Sequence, residues 1–500
     1  MLHSTTLASL LLVADLISAA SHPQDPPTVH LSSGTILGNT CKHTPVKQFH
    51  GIPYAHPPVG PRRFMPPELL RLSIPKRTPR RDKATTRMYP MGIRLRRDRR
   101  SPYQKTASKS SLPVKVFAYG GGNDGGAITY PLYHSCNLAI VAKFNYRLGP
   151  LGFLALPDAG IRGNMAIQDY LAALTWVKHN IRAFGGDSTK VMLFGQSADA
   201  DDTFVVSTLP EAKHLISAAS KSVKDLVRAH SHTPALLDPT TNGGLFATVL
   251  GIDLPNITSL DSSGLDDEII KHQPLSVGSQ VPIIIGQTPS SPSPSTSPAH
   301  PTSSPKPTTH PSSSISKAYP LSLFNTTAST SFAAITHIAT VSGFNCPAYK
   351  ALRAAKAPAY AYRFNRTLSC PWLDQDGQPF PSADLAPFFG STHTAEVPFV
   401  FGNMDNQPFS TGSCNASKQD RSISASMVAA WTALAERGNP ETKSVGWPRF
   451  DAHSKRGVYI QDSIAPAELD FTECEFWDQI WAEMGGVEFG PAASSFEDCS

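Results

Sequence analysis

Along this chain, short apolar runs alternate with one long stretch of helical periodicity. Val114 to Ala118 and Leu138 to Tyr146 are apolar and β-branched, with glycine-rich turns nearby. Runs of this length without strict alternation predict strands buried on both faces, as in a parallel sheet. From Asn164 to Phe184, Ile167, Leu171, Leu174, Val177 and Ile181 recur every three or four residues. That spacing predicts an amphipathic helix ending at Gly185-Gly186. Val191 to Phe194 and Val281 to Ile285 predict two more strands. Strand–helix–strand order with short turns predicts an α/β fold around a mainly parallel sheet.

Two stretches break this rhythm. Between Arg71 and Lys109, fourteen Lys or Arg residues stand against only Asp82 and Asp98, so the net charge of +5 conceals a remainder that is acidic. Few aromatics are interleaved and no period presents a face, which predicts a solvated or poorly ordered insertion and argues against a nucleic-acid partner. From Gln287 to about Ser316, Pro, Ser and Thr dominate; that composition buries too little apolar surface to fold. The chain as a whole, all 500 residues, is 40% hydrophobic and 17% charged, enough to build one large core. The expected organisation is a single α/β domain over residues 21–500, interrupted at 71–110 and 287–316.

The first twenty residues predict a secretory signal peptide. Leu7 to Ile17 is mostly apolar, and Ser18-Ala19-Ala20 puts small residues where a signal peptidase cuts. The run is too short to span a bilayer, and no later segment is apolar for long enough to do so. A secreted chain makes glycans at the sequons Asn256, Asn325, Asn365 and Asn415 an expectation. The seven cysteines show neither CxxC spacing nor a Cys/His cluster, so disulfides are expected and a metal site is not.

Two short motifs carry candidate chemistry. Gly195-Gln196-Ser197-Ala198 follows the Val191 strand. A serine in a strand-to-helix turn has its hydroxyl pushed out above the sheet, and small neighbours relieve the strained backbone. Asp199 stands where the last glycine of G-x-S-x-G is expected; its carboxylate is expected to clash there or to repel an anionic intermediate. Tyr119-Gly120-Gly121-Gly122 follows the Val114 strand, and glycines let several backbone N–H groups converge on a developing oxyanion. Taken alone, each motif also fits an ordinary turn.

Longer blocks carry a family resemblance. His50-Gly51-Ile52-Pro53-Tyr54-Ala55-His56-Pro57-Pro58-Val59-Gly60, Asn145-Tyr146-Arg147-Leu148-Gly149-Pro150-Leu151-Gly152-Phe153 and Phe184-Gly185-Gly186-Asp187 occur in order. They are followed by His393-Thr394-Ala395-Glu396-Val397-Pro398-Phe399-Val400-Phe401-Gly402, Gly438-Asn439-Pro440 and Cys474-Glu475-Phe476-Trp477. Together they resemble the type-B carboxylesterase/lipase family, cholinesterase-like α/β-hydrolases, and the likeness is nearest to secreted fungal members. The resemblance implies an α/β-hydrolase fold and a carboxylic ester hydrolase acting through an acyl-serine, without cofactor, on small-molecule or lipid esters. By position it implies Ser197 as nucleophile, His393 as general base and the N–H groups of Gly121, Gly122 and Ala198 as oxyanion hole. It further implies a Cys346–Cys474 disulfide, with Cys370–Cys414 a weaker pairing.

One element of the pattern is missing. The family's triad acid follows a segment like Val281 to Gly286, but between Ile269 and Leu373 the chain has no Asp or Glu. Leu321-Ser322-Leu323-Phe324 resembles what should follow the lost element. Asp199, Asp201 and Asp202 lie on the nucleophile's side of the expected site, and Glu268 and Asp374 merely flank the gap. A second expectation therefore stands beside the first: a catalytically impaired or non-catalytic member, used for binding or adhesion.

Overall fold

The computed structural model of the chain describes residues 26–41, 46–70, 92–97, 112–133, 135, 138, 140–223, 269–288, 311–324, 333–334, 337–338, 340–367, 373–375, 378–380, 391, 393–404 and 416–483. The expected signal peptide, most of the basic segment and the sequons at Asn256, Asn325 and Asn415 lie outside the described residues.

An eleven-stranded sheet organises the chain. In chain order its strands are β1 (Asn39–Thr40), β2 (Lys47–Pro53), β3 (Gly92–Arg97), β4 (Leu112–Ala118), β5 (Ile140–Phe144), β6 (Gly186–Ser197), β7 (Ala218–Val223), β8 (Ile283–Gln287), β9 (Ala359–Phe364), β10 (Arg456–Ile460) and β11 (Ile464–Glu468). Their spatial order is β11-β10-β9-β8-β7-β6-β4-β5-β3-β2-β1. The seven strands from β10 through β5 run parallel. Antiparallel strands finish both edges.

Burial explains the apolar runs. Every residue of β5 and β8 is buried, as are Val114 to Ala118 of β4, because helices cover both faces. Among the helices are α1 (Met165–Asn180), α2 (Ala198–Thr208), α3 (Pro311–Ala318), α4 (Cys346–Ala354), α5 (Val397–Phe401), α6 (Lys418–Arg437) and α7 (Cys474–Glu483). Helix α1 packs on α2 and β6, while α6 packs on β4, β6 and β7 together with α5. The polar strand residues are neutralised locally. Lys115 donates to Val428 O of α6 at 3.2 Å, and burial pulls its amine down to about 7. Lys143 donates to Ile128 O at 3.0 Å and Tyr133 O at 2.7 Å.

Three expectations are revised. Helix α1 is buried over most of its surface, Gln168, Asp169 and Tyr170 included, and its solvent-facing stripe narrows to Leu171, Thr175, Lys178 and His179. Within the basic segment, Gly92–Arg97 forms β3, paired to β2 on one side and β5 on the other. The Pro/Ser/Thr tract is structured at both ends, where Gln287 closes β8 and Pro311–Ala318 forms α3.

Two long-range ties hold the ends of the chain. Cys346 and Cys474 form the expected disulfide, with Cα atoms 5.1 Å apart; Cys370 and Cys414 lie outside the described residues. Arg147 is buried against Asp169 of α1, giving Nε to Oδ2 at 2.8 Å and Nη2 to Oδ1 at 2.7 Å. Its remaining donors reach Met65 O at 2.6 Å and Met165 O at 3.2 Å. This one guanidinium therefore fastens the N-terminal segment, the strand-to-loop segment after β5 and α1. Removing one partner of a buried pair strands the other's charge, at a cost of about 3–5 kcal/mol. Asp169→Ala should lower unfolding free energy in urea by that amount, and a loss well under about 1 kcal/mol would show the pair to be dispensable.

Candidate active site

The sheet reverses its direction of growth between β4 and β6. From β4 the chain moves to β5 on one side, and from β6 it moves to β7 on the other. At such a switch point the connections leave in opposite directions and open a crevice beyond the carboxyl ends of the strands. Ser197 ends β6, and Tyr119-Gly120-Gly121-Gly122 follows the end of β4. The two motifs therefore meet there.

The local backbone is strained. Ser197 has φ 64° and ψ −136° between β6 and α2, a conformation L-residues adopt only when their surroundings impose it. Those surroundings are tight: a Cβ on Gly120 would lie 2.6 Å from Gln196 O and 2.7 Å from Ser197 Cβ, and one on Gly195 would lie 2.3 Å from Asp199 O. Only glycine fits at either place. Gly121 and Gly122 take positive φ, 147° and 65°, and the Gly121 carbonyl accepts from Asp124 N at 3.2 Å and Gly125 N at 3.1 Å. Ala198 opens α2 directly after Ser197. The three backbone groups expected to form an oxyanion hole thus lie on the two segments that frame the crevice.

His393 comes from the far end of the chain and reaches the same place. Its ring meets the Gln196 carboxamide, with Gln196 Nε2 at 2.9 Å from Nε2 and 3.4 Å from Nδ1. Phe344 stacks at a tilt on the ring, centroids 6.4 Å apart. The next residue, Thr394, has φ 74°, a rare conformation for a β-branched residue. Asn123, Ser197 and Thr394 are three of the five non-glycine residues with positive φ among the described residues. Such concentration of strain around one crevice is the mark of a functional site.

Beneath the crevice lies a buried polar layer. The expected clash at Asp199 does not occur, because its side chain turns into the core, where the Tyr170 hydroxyl donates to Oδ1. Burial pushes this carboxyl up to about 8, against the pull of Tyr146 and Tyr170. It is therefore uncharged near neutral pH, which also removes the expected repulsion. Asp201 pairs with the buried Lys221 of β7 at 2.7 Å. Asp202 is likewise pushed up, chiefly by burial, and Asn123 bonds to it. The Tyr146 hydroxyl, with one proton to give, lies 3.2 Å from Asn123 Oδ1 and 3.1 Å from Tyr119 O, and the Asn123 carbonyl accepts from Gly149 N at 2.6 Å. The three aspartates brace the glycine loop and the elbow from below.

The short motifs did not single out Gln196 or Glu396. Both are buried, and both line a small cavity behind the elbow with Ser220, Tyr362 and Trp431. Their signal is spatial: Gln196 and His393 are 197 residues apart. At β8, where an acid was sought, the last residue is Gln287, which accepts from Arg363 Nη2 at 3.2 Å and donates to Asn345 O at 3.3 Å.

A mainly parallel sheet, a serine in a strained strand-to-helix turn at its switch point and a histidine from a late loop define an α/β-hydrolase. The chain belongs to the carboxylesterase family, which it matches over residues 25–72, 99–223 and 303–477. It is similar to the para-nitrobenzyl esterase of Bacillus subtilis (strain 168), 26% identical across 86% of this chain and 94% of the relative. It is also similar to the fumonisin B1 esterase of Sphingopyxis macrogoltabida, 28% identical across 89% and 88%. Mouse carboxylesterase 1E is 34% identical over 43% of each chain. A solved PNB esterase structure superposes with a TM-score of 0.64 at 25% identity, covering 91% of this chain and 99% of that one. These relatives make the protein a carboxylic ester hydrolase by family.

The Asp199 proton has a measurable consequence. Its folded value of about 8 lies above the ordinary 3.8, so between those values the folded state keeps a proton that the unfolded chain releases. Stability from this group is complete below pH 3.8 and is lost as pH rises through about 8, at up to about 1.4 kcal/mol per pH unit. In urea titrations Asp199→Asn should gain on the wild type as pH rises through that window, then hold its advantage above it. A difference that stays flat across the window means the carboxyl is ionised throughout.

Proposed function

We propose that the protein hydrolyses carboxylic esters of small-molecule or lipid type through an acyl-serine intermediate. The observation that carries this reading is the convergence of Ser197, the Gly120–Gly122 loop and His393 at the switch point of the sheet. Ser197 Oγ attacks the ester carbonyl carbon while its proton passes to His393 Nε2. The tetrahedral oxyanion is held by the N–H groups of Gly121, Gly122 and Ala198. Collapse breaks the bond to the alcohol, which leaves with the proton from His393. Water then repeats the sequence on the acyl-serine and releases the acid.

The lack of any Asp or Glu between Ile269 and Leu373 favours a second reading, a non-catalytic member. Loss of the orienting acid lowers turnover by roughly 10⁴-fold while the oxyanion hole and binding still act. Hydrolysis of p-nitrophenyl butyrate by the full chain should therefore be slow but at least about tenfold faster than by Ser197→Ala. Equal rates leave only the non-catalytic reading.

We also infer that the protein is secreted. Support comes from the apolar Leu7–Ile17 run and from the sequon at Asn365, an exposed residue just beyond β9. Expressed in a eukaryotic secretory host, the chain should reach the medium beginning after Ala20 and carry a glycan removed by Asn365→Gln. Intracellular chain that retains residues 1–20 sinks this inference.

A further inference from the structure

Six large apolar side chains are exposed among the described residues, and four of them gather beside one loop. Val59, Met65 and Leu69 are 60%, 53% and 40% exposed on residues 54–70, and Leu151 is 44% exposed on the adjoining turn Gly149–Phe153. The loop is stiff. Its two legs pair, His56 N giving to Glu68 O at 2.8 Å and Ala55 bridging Leu69, and five prolines fix much of the backbone between them. Tyr54 Oη donates to Asn145 O at 2.7 Å and Arg147 Nη1 to Met65 O at 2.6 Å, so the loop is clamped to the segment that leads into Leu151. The apolar side chains cannot fold back into the core without breaking those clamps. Pro53 at the end of β2 stands opposite Gly92, and Ile93 stands opposite Phe144 at the end of β5. The loop therefore rises from the same edge of the sheet as the crevice. Its charge is basic: Glu68, its one carboxylate, is taken by Arg62 at 2.6 Å, while Arg63 is exposed. Beyond Leu70 the sequence keeps that sign, with fourteen Lys or Arg against two Asp as far as Lys109.

We propose that residues 57–69 and Leu151 form a docking surface for an anionic lipid bilayer, Val59, Met65, Leu69 and Leu151 entering the interface while Arg62 and Arg63 reach the lipid phosphates. Apolar side chains of this size gain by leaving water for the acyl boundary. Each guanidinium near a negative headgroup surface adds about fivefold in affinity. Stable attachment takes two such signals, and the loop carries both side by side. Because the loop is already stiff, little ordering is lost on docking. Other occupants fit less well. A second copy would bring basic charge against basic charge. A nucleic acid would find no exposed ring to stack a base on, since the loop's two aromatics, Tyr54 and Phe64, are buried and half-buried. Docking this edge turns the crevice toward the lipid. The inference concerns binding alone and stands apart from hydrolysis.

The test is flotation of the full chain with vesicles of phosphatidylcholine, alone or mixed with an equal part of phosphatidylglycerol. The chain should float with the mixed vesicles, float more weakly with phosphatidylcholine alone, and be released as sodium chloride shortens the Debye length. Val59→Ser combined with Met65→Ser should weaken binding to mixed vesicles roughly tenfold or more, and Arg63→Glu roughly tenfold. Leu321→Ser, exposed but outside this loop, should float like the wild type. Unfolding midpoints in urea should match the wild type at these surface positions; if the double variant's falls, Leu151→Ser is read in its place with the same expected direction. A wild type that floats with neither vesicle, or loop variants that float as well as the wild type, overturn the proposal. So does a lipid-free dimer in sedimentation velocity that Val59→Ser with Met65→Ser dissociates, because a second copy then covers this face.

Discussion

Everything at the crevice depends on two strands ending side by side with no room for a side chain between them. Strands β4 and β6 are parallel neighbours in register, Val191 opposite Val114 through Gly195 opposite Ala118. The chain leaves each of them where Gly120 touches Gln196 and Ser197. A single methyl group at Gly120 would meet backbone and side-chain atoms of the elbow at once. Forcing the strands apart would break the register on which the sheet relies, and relaxing the elbow would release Ser197 from φ 64°. The strain is thus held by the ladder between Val114–Ala118 and Val191–Ser197, buried throughout, and cannot relax locally.

Support for that contact comes from a polar layer that is costly to bury and is satisfied mainly by pairing. Lys221 neutralises Asp201, Asn123 bonds to Asp202, and Tyr146 and Tyr170 flank an Asp199 whose carboxyl burial pushes up to about 8. The layer joins the first turn of α2 to the glycine loop. A carboxylic acid kept neutral in this way acts as a hydrogen-bonding wedge, which is how the chain tolerates a side chain where small packing is the rule.

Much of this was legible in the sequence, and the exceptions share a physical cause. Strands β4, β5, β6 and β8 announced themselves through apolar runs, and the family blocks placed Ser197 and His393. Strand β7 did not, because Ala-Ala-Ser-Lys-Ser-Val hides a central strand whose lysine is neutralised by an aspartate twenty residues away. Strand β6 begins at Gly186, five residues before its apolar run, since its polar start pairs only at Gly186 with Leu112 before the register shifts. Helix α1 looked more one-sided than it is because Asp169 and Tyr170 are polar by name yet consumed by partners inside the core. Gln196 was invisible as a partner of His393 because nothing local joins residues 197 apart. In each case a long-range pairing changed the meaning of a polar residue, and patterning along the chain carries no record of such pairings.

Strand β3 bears on how this gene can vary. Gly92–Arg97 lies inside the stretch whose charge marks it as foreign to the domain, yet it is the only bridge between β5 and β2 among the described residues. A splice variant or engineered deletion that excised the basic stretch as one cassette would detach β1 and β2 and bare the flank of β5 as an unpaired edge open to aggregation. Tolerated deletions must therefore stop short of residue 92 or begin after residue 97, so the segment behaves as two separate inserts stitched to one indispensable strand.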